Sequence, residues 1–259
     1  MSRTTLKNIA RLIADTNIPV EKAFLADLER SIELTDKSQR RAPSKTYKPS
    51  SMQCIRNMYY QVIGEPQNDE PAGYSLIGIC NSGSDIHVRI QTAVSEMKQN
   101  GIDCEYVDVA SYVTSRGLED IQIVSKQGME TKLYHKKYNM SFLCDGIIRY
   151  KGKYYILEIK TENSYKWQSR SEVDSKHYDQ ATAYSIAFGI DDVLFVYINR
   201  DVLTMKTFMF KVTDEMKYVL VDKIGICEGY VAAQKVPPVP ADIDKRVCAY
   251  CGYRQTCGR

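Results

Sequence analysis

One segment constrains this chain more than any other: Leu143-Cys-Asp-Gly-Ile-Ile-Arg-Tyr-Lys-Gly-Lys-Tyr-Tyr-Ile-Leu-Glu-Ile-Lys160. Two β-rich runs flank Lys151-Gly152. If those two residues form the loop of a hairpin, Tyr150 pairs with Lys153 and the register of both strands follows. Counting outward sets Asp145 directly opposite Glu158, with Cβ atoms about 5 Å apart on one sheet face. Alternation puts Lys160 on the face of Glu158 and turns Leu157 and Ile159 the other way, into apolar core. Two carboxylates placed so repel each other. A divalent cation that takes hard oxygen ligands, Mg²⁺ or Mn²⁺, removes the conflict. A lysine beside it can hold a nucleophilic water or stabilise charge developing on a phosphate. An exposed Asp–Glu–Lys charge network is the other reading of the same three residues.

The cysteines are a second constraint. The chain has 8. Cys80, Cys104, Cys144 and Cys227 stand singly, mostly among apolar neighbours, and read as small core residues. Cys248, Cys251 and Cys257 form C-x2-C-x5-C in Cys248-Ala-Tyr-Cys-Gly-Tyr-Arg-Gln-Thr-Cys257. Three thiols in ten residues suggest a metal or cluster that ties the terminal segment down. Cys54 is the fourth candidate, in a polar, basic segment that favours a thiolate. Structural zinc accepts four cysteines, usually from two C-x2-C knuckles. One distant cysteine plus a three-cysteine tail also suits an iron–sulfur cluster.

Hydrophobic periodicity predicts two short helices over residues 4–34. Leu6, Ile9, Ala10 and Ile13 share one face, and Phe24, Leu25, Leu28 and Ile32 another. Residues 36–50 read as a linker or arm, and a short helix is expected from about Ser51 to Val62. A stronger helix is expected from about Asp85 to Gln99, with Ser84 as N-cap, Gly101 as stop and His87 at the edge of its apolar stripe. Strands follow near 119–125, 131–138, 142–150 and 153–161, then a helix at about 172–188. Two more β-runs, Val193 to Asn199 and Thr204 to Val212, precede a long helix over about 214–234 capped by Thr213. This order predicts an α/β fold with a mixed central β-sheet flanked by helices, an N-terminal helical extension and a C-terminal cysteine-cluster staple.

Hydrophobic residues make up 44% and charged residues 26%, which excludes a disordered chain or a fibre. No stretch approaches the roughly 20 apolar residues of a membrane span, and Met1 to Ile18 has no signal-peptide core, so no membrane is expected as partner and the expected location is the cytoplasm. Net charge is only +3, but Lys37, Arg40, Arg41, Lys45, Lys48 and Arg56 stand against Asp36 alone between Asp36 and Tyr60. That stretch is either a solvated linker or a surface that faces phosphates, with Lys45, Lys48 and Arg56 as contacts. Tyr165 and Trp167 could stack on bases or anchor their loop to the core, the second being favoured. His135 and His177 carry no such signal, and His177 could face a cleft or solvent. No Walker-type loop is present, so unwinding driven by ATP would need another chain.

Asp145 on one strand with Glu158-Ile-Lys160 on the next resembles the core of the PD-(D/E)xK nucleases. Gly83-Ser-Asp-Ile-His87 is similar to the G-x3-H motif of their RecB-type branch, and Gln180-Ala-Thr-Ala-Tyr184 to its Q-x3-Y motif. Cys54 with the terminal C-x2-C-x5-C resembles the iron–sulfur members of that branch, which include the CRISPR-associated exonucleases and the AddB nuclease subunit. The resemblance covers residues 51–259, the nuclease domain; residues 1–50, a helical extension and basic arm, match nothing in it. Cys144 stands where the superfamily's name has proline. The resemblance implies a restriction-endonuclease-like core and a Mg²⁺- or Mn²⁺-dependent DNA nuclease. His87, Asp145, Glu158 and the backbone carbonyl of Ile159 would hold the metal, with Lys160, Gln180 and Tyr184 completing the catalytic set. Cys54, Cys248, Cys251 and Cys257 would hold a [4Fe–4S] cluster, zinc being the alternative occupant. The implied substrate is DNA, single-stranded or with free ends, cut in replication, recombination or repair, with a possible helicase or recombination partner. The alternatives are a DNA-end-binding recombination subunit with subordinate nuclease activity and a structure-specific or restriction-type endonuclease.

Overall fold

The computed structural model describes residues 18–39, 43–67, 73–241, 243–249 and 251–258. The chain divides into two units, residues 1–41 with 69–81 and residues 42–68 with 82–259. The face expected over Leu6, Ile9, Ala10 and Ile13 lies outside the described residues. In the first unit, α1 (Val20–Gln39) carries Phe24, Leu25, Leu28 and Ile32 and buries none of its residues. It runs past Asp36, where a linker was expected to begin.

The remaining helices are α2 (Ile55–Ile63), α3 (Tyr74–Glu96), α4 (Val109–Ser115), α5 (Ser164–Ser169), α6 (Tyr178–Phe188), α7 (Asp214–Ala232), α8 (Lys245–Ala249) and α9 (Arg254–Cys257). The strands are β1 (Cys104–Val107), β2 (Ile121–Gln127), β3 (Glu130–His135), β4 (Met140–Cys144), β5 (Gly146–Tyr150), β6 (Lys153–Glu162), β7 (Asp192–Asn199) and β8 (Met205–Lys211). In the second unit a five-stranded sheet has the order β1-β5-β6-β7-β8. Every neighbouring pair in it is antiparallel except β6 and β7, which run parallel and are joined through α6. The fold is therefore α/β with a mixed central sheet. β2, β3 and β4 form a second, antiparallel sheet. Among the described residues no helix is long and apolar enough to cross a membrane.

Lys151 and Gly152 form the expected loop. Their φ angles are +49° and +80°, both positive as a type I′ turn requires, and Tyr150 pairs with Lys153. One face of the central sheet buries Leu157, Ile159, Ile148, Val196 and Ile198 with Ile86 of α3. The other buries Ile147, Ile156, Phe195 and Tyr197 with Ala181, Tyr184 and Phe188 of α6. Leu157 and Ile159 thus point into core, as alternation requires. Thr213 caps α7, its hydroxyl accepting from Met216 N at 3.2 Å.

Four expectations need correcting. The strand expected over 142–150 is two strands, broken at Asp145 so that β4 belongs to the small sheet and β5 to the large one. Gly146 permits the break: a Cβ there would lie 2.6 Å from the Tyr106 ring. Ser84 is not an N-cap but lies inside α3, because the run Asn81-Ser-Gly-Ser84 only weakens a helix, by about 1 kcal/mol at the glycine. The short helix begins at Ile55, with Cys54 in extended conformation at its N-cap. Cys104, Cys144 and Cys227 are buried, but Cys80 is exposed. It precedes Ile86 by six residues, which sets it about 120° away around the helix axis. Two short elements, β1 and α4, went unrecognised because four and seven residues are too few to display a period.

Candidate active site

Asp145 occupies the one residue between β4 and β5, where the chain leaves one sheet for the other. Continuing the β5–β6 register one step beyond Gly146–Leu157 sets it opposite Glu158, as the hairpin argument required. Continuing the β3–β4 register one step beyond Thr131–Cys144 sets it opposite Glu130 on its other side. Glu130 of the small sheet and Glu158 of the large one therefore both lie near Asp145.

Asp145 is held from every side. Its Oδ2 accepts from Ile159 N at 2.7 Å and its Oδ1 lies 3.1 Å from His87 Nδ1. Its backbone carbonyl accepts from Gln91 Nε2 at 2.7 Å and from Tyr106 Oη at 2.8 Å. His87 and Gln91 are one turn apart on α3, so both reach the same residue. Burial would depress the His87 pKa, but the Asp145 hydrogen bond and the charges of Asp145 and Glu158 outweigh it and hold the imidazole above its ordinary value.

Glu158 is 3% exposed. Its Oε1 lies 2.5 Å from Lys160 Nζ and accepts from Gln180 Nε2 at 2.8 Å. Its Oε2 is buried and has no hydrogen-bond partner. Burial, opposed by Lys160 and reinforced by Asp145, pushes its pKa up to about 7. Gln180 faces both ways: its Oε1 accepts from Lys160 Nζ at 2.9 Å while its amide nitrogen serves Glu158 and, at 2.9 Å, Tyr184 Oη. Tyr184 in turn donates to Leu143 O at 2.7 Å. Gln180 and Tyr184 are both buried, so their polar atoms are engaged inside the protein.

His87, Glu130 and Asp145 can each offer one ligand atom such that all three lie within 4.8 Å of one another. This set fits a divalent cation, and the unpartnered Glu158 oxygen is of the hard kind that Mg²⁺ and Mn²⁺ take. Sequence reasoning missed Glu130, Gln91 and Tyr106. Glu130 closes the two-residue Gly128-Met129 turn, and only the β3–β4 register, unassigned from sequence, would have pointed to it.

A second cluster forms at the C-terminal segment. Cys54, Cys248, Cys251 and Cys257 line one cleft together with Arg56, Asn57 and Tyr253. Asn57 Nδ2 donates to Cys251 Sγ at 3.4 Å, and Arg56 Nη1 lies 3.6 Å from Cys257 Sγ. Tyr253, 3% exposed, packs its ring 5.3 Å from that of Tyr60 and seats the segment on the core. Burial pushes the Cys54 thiol up, against the lowering by the Asn57 and Arg56 amides, so its segment does not favour a free thiolate as the sequence suggested. Arg56 donates to Pro237 O at 2.7 Å, while Lys45 and Lys48 are exposed. Tyr165 is 84% exposed and Trp167 packs against the core, with Lys206 Nζ 4.2 Å over its ring. His177 stacks on Phe195 and lies tilted against Tyr197, and His135 is buried.

No family model and no curated protein sequence matches the chain. Among solved structures, SSO0001 is 15% identical with a TM-score of 0.45, over 90% of this chain and 96% of that one. An alkaline exonuclease from Laribacter hongkongensis is 11% identical with a TM-score of 0.40, over 74% of this chain and 90% of that one. Its complex with dAMP gives 12% and 0.39, over 73% and 89%. Likenesses this distant carry no weight for function, which has to be argued from the residues.

Proposed function

We propose that this protein is a metal-dependent DNA nuclease that hydrolyses phosphodiester bonds, acting as an exonuclease on single strands or DNA ends. One observation carries the reading. A fully buried glutamate opposite an aspartate keeps one oxygen fixed by Lys160 and Gln180 and leaves the other, Oε2, without any partner. A buried carboxylate oxygen left so is costly unless a ligand completes it. A structural charge network would have satisfied both oxygens.

In this reading His87, Asp145, Glu158 and the backbone carbonyl of Ile159 hold Mg²⁺ or Mn²⁺. The bound ion would supply Lewis acidity and a water of lowered pKa. Lys160 would offset charge developing on a phosphate. Gln180 orients Lys160 and Glu158 against each other, and Tyr184 fixes Gln180. Lys45 and Lys48 would contact the phosphate backbone, with Arg56 bridging to the cysteine cleft.

Cys54, Cys248, Cys251 and Cys257 would hold a [4Fe–4S] cluster. The Asn57 and Arg56 contacts to sulfur suit thiolate ligands.

Digestion of end-labelled linear, end-blocked and circular single-stranded DNA with Mg²⁺ or Mn²⁺ tests the activity. Metal-dependent loss of the linear substrate with the circle intact is expected. Cutting of the circle would make the protein an endonuclease, and no metal-dependent cleavage of any DNA would overturn the reading. Protein purified without oxygen should be brown, and Cys54→Ser should bleach it. Colourless protein with one zinc per chain would overturn the cluster.

A further inference from the structure

The motif of the site accounts for ligands from α3, from the β4–β5 junction and from β6, and leaves the small sheet without a part in it. We infer that Glu130, at the tip of the β2–β3 hairpin, is a side-chain ligand of the divalent cation, so that the bound ion ties the small sheet to the large one. The inference rests on the metal reading above and adds to it a residue outside the motif.

Three independent features converge on Glu130. The first is register. Thr131 pairs with Cys144, so the next step along the same ladder sets Glu130 beside Asp145. Directly opposed acids are unfavourable without a cation between them. Glu158 adds a further acid near Asp145. The second is distance. Glu130 presents a carboxylate oxygen within 4.8 Å of ligand atoms of both His87 and Asp145, although these residues come from a hairpin, a helix and an inter-sheet junction. The third is the surrounding chemistry. Two buried acceptor oxygens flank Asp145 without partners, Oε2 of Glu158 (3% exposed) and Oε1 of Gln91 (0% exposed). Gln91 donates through its nitrogen to the Asp145 carbonyl, so its orphan oxygen lies at the same junction. Acceptors left bare around opposed acids call for a cation rather than for another hydrogen-bond acceptor.

The hairpin tip is also seated for the role. Tyr106 Oη donates to Asp145 O at 2.8 Å and lies 3.3 Å from Met129 O, the residue before Glu130. One hydroxyl therefore holds the turn beside the aspartate before any ion arrives. Because Glu130 is partly exposed and has no role in the core, its carboxylate can be removed without emptying buried space.

Calorimetric titration of Mn²⁺ into wild type, Glu158→Gln and Glu130→Gln, without DNA, tests this. Hydrogen exchange of the 127–131 amides with and without Mn²⁺ is the second readout. Glu130→Gln should weaken Mn²⁺ binding at least about tenfold. Its metal-free melting temperature should be no lower than that of wild type, because one of the opposed charges is gone. Mn²⁺ should slow exchange at 127–131 in wild type and no longer do so in Glu130→Gln. Wild-type affinity and wild-type protection in Glu130→Gln, with Glu158→Gln weakened, would overturn this inference and leave the nuclease reading standing. A wild-type protein that binds no Mn²⁺ would overturn both.

Discussion

Glu158 and Glu162 lie on the same face of β6, four residues apart and equally buried at 3% and 5% exposed, yet their surroundings differ completely. Glu162 is closed off. Arg170 Nε donates to its Oε2 at 3.1 Å and Arg170 Nη2 to its Oε1 at 2.5 Å, so the planar guanidinium takes both oxygens at once. Arg170 also donates to Asp174 at 3.0 Å and lies over the Tyr197 ring at 4.9 Å. These partners, the Glu162 hydrogen bond foremost, hold the arginine pKa above its ordinary value. Glu158 is left open. Its cation is a lysine, a point charge on a flexible stem, shared with Gln180, and its second oxygen meets nothing. Glu162 is saturated by a bidentate partner, whereas one oxygen of Glu158 has no hydrogen-bond partner in the chain.

Substitutions can break that contrast. The largest effect is expected at the open end. Asp145→Ala, Glu158→Ala and Lys160→Ala should each lower DNA cleavage by about 10³-fold while circular dichroism shows the fold retained. Near-wild-type turnover in purified Glu158→Ala would remove its catalytic role. At the closed end the effect should fall on stability. Arg170→Met leaves Glu162 buried and unpaired, and urea unfolding should show a loss of about 3–5 kcal/mol. Mn²⁺ affinity of the folded fraction should be unchanged, and a loss of affinity equal to that of Glu158→Gln would erase the distinction between the two glutamates.

A smaller effect is expected at Gln180, which touches only the open end. Gln180→Leu should cost about 10–100-fold in kcat with KM for DNA little changed, because the lysine and glutamate lose their common anchor. A change in KM alone would mark Gln180 as a substrate contact instead. The smallest effect concerns pH. His177 lies against Phe195 and Tyr197, and burial, with Lys160 and Lys176 adding to it, lowers its pKa to about 2. The unfolded chain takes up that proton near pH 6.5, so the stability is fully present above that value and falls as pH drops below it. The His177 contribution to that loss between pH 8 and pH 5 should be about 2 kcal/mol, and His177→Gln should change the difference between urea midpoints taken at the two values by that amount. An unchanged slope would mean that His177 titrates normally in the folded protein.

What could be read from the sequence was whatever depends on local periodicity. The Lys151-Gly152 loop, the pairing that opposes Asp145 to Glu158, the shared face of Glu158 and Lys160 and the Thr213 cap follow from a two-residue strand period, turn chemistry and helix capping, each settled within about twenty residues of chain. Tertiary structure decided the rest. Asp145 had to fall at a switch between two sheets, which brought Glu130 to it through a separate ladder and set Gln91 and Tyr106 on its carbonyl. Cys54 met the three terminal cysteines across almost the whole sequence. Arg170 rather than Lys160 closed over Glu162, and only packing left one Glu158 oxygen bare. The reason is that strand and helix periods fix which residues share a face, whereas which faces then meet depends on the packing of elements far apart in the chain.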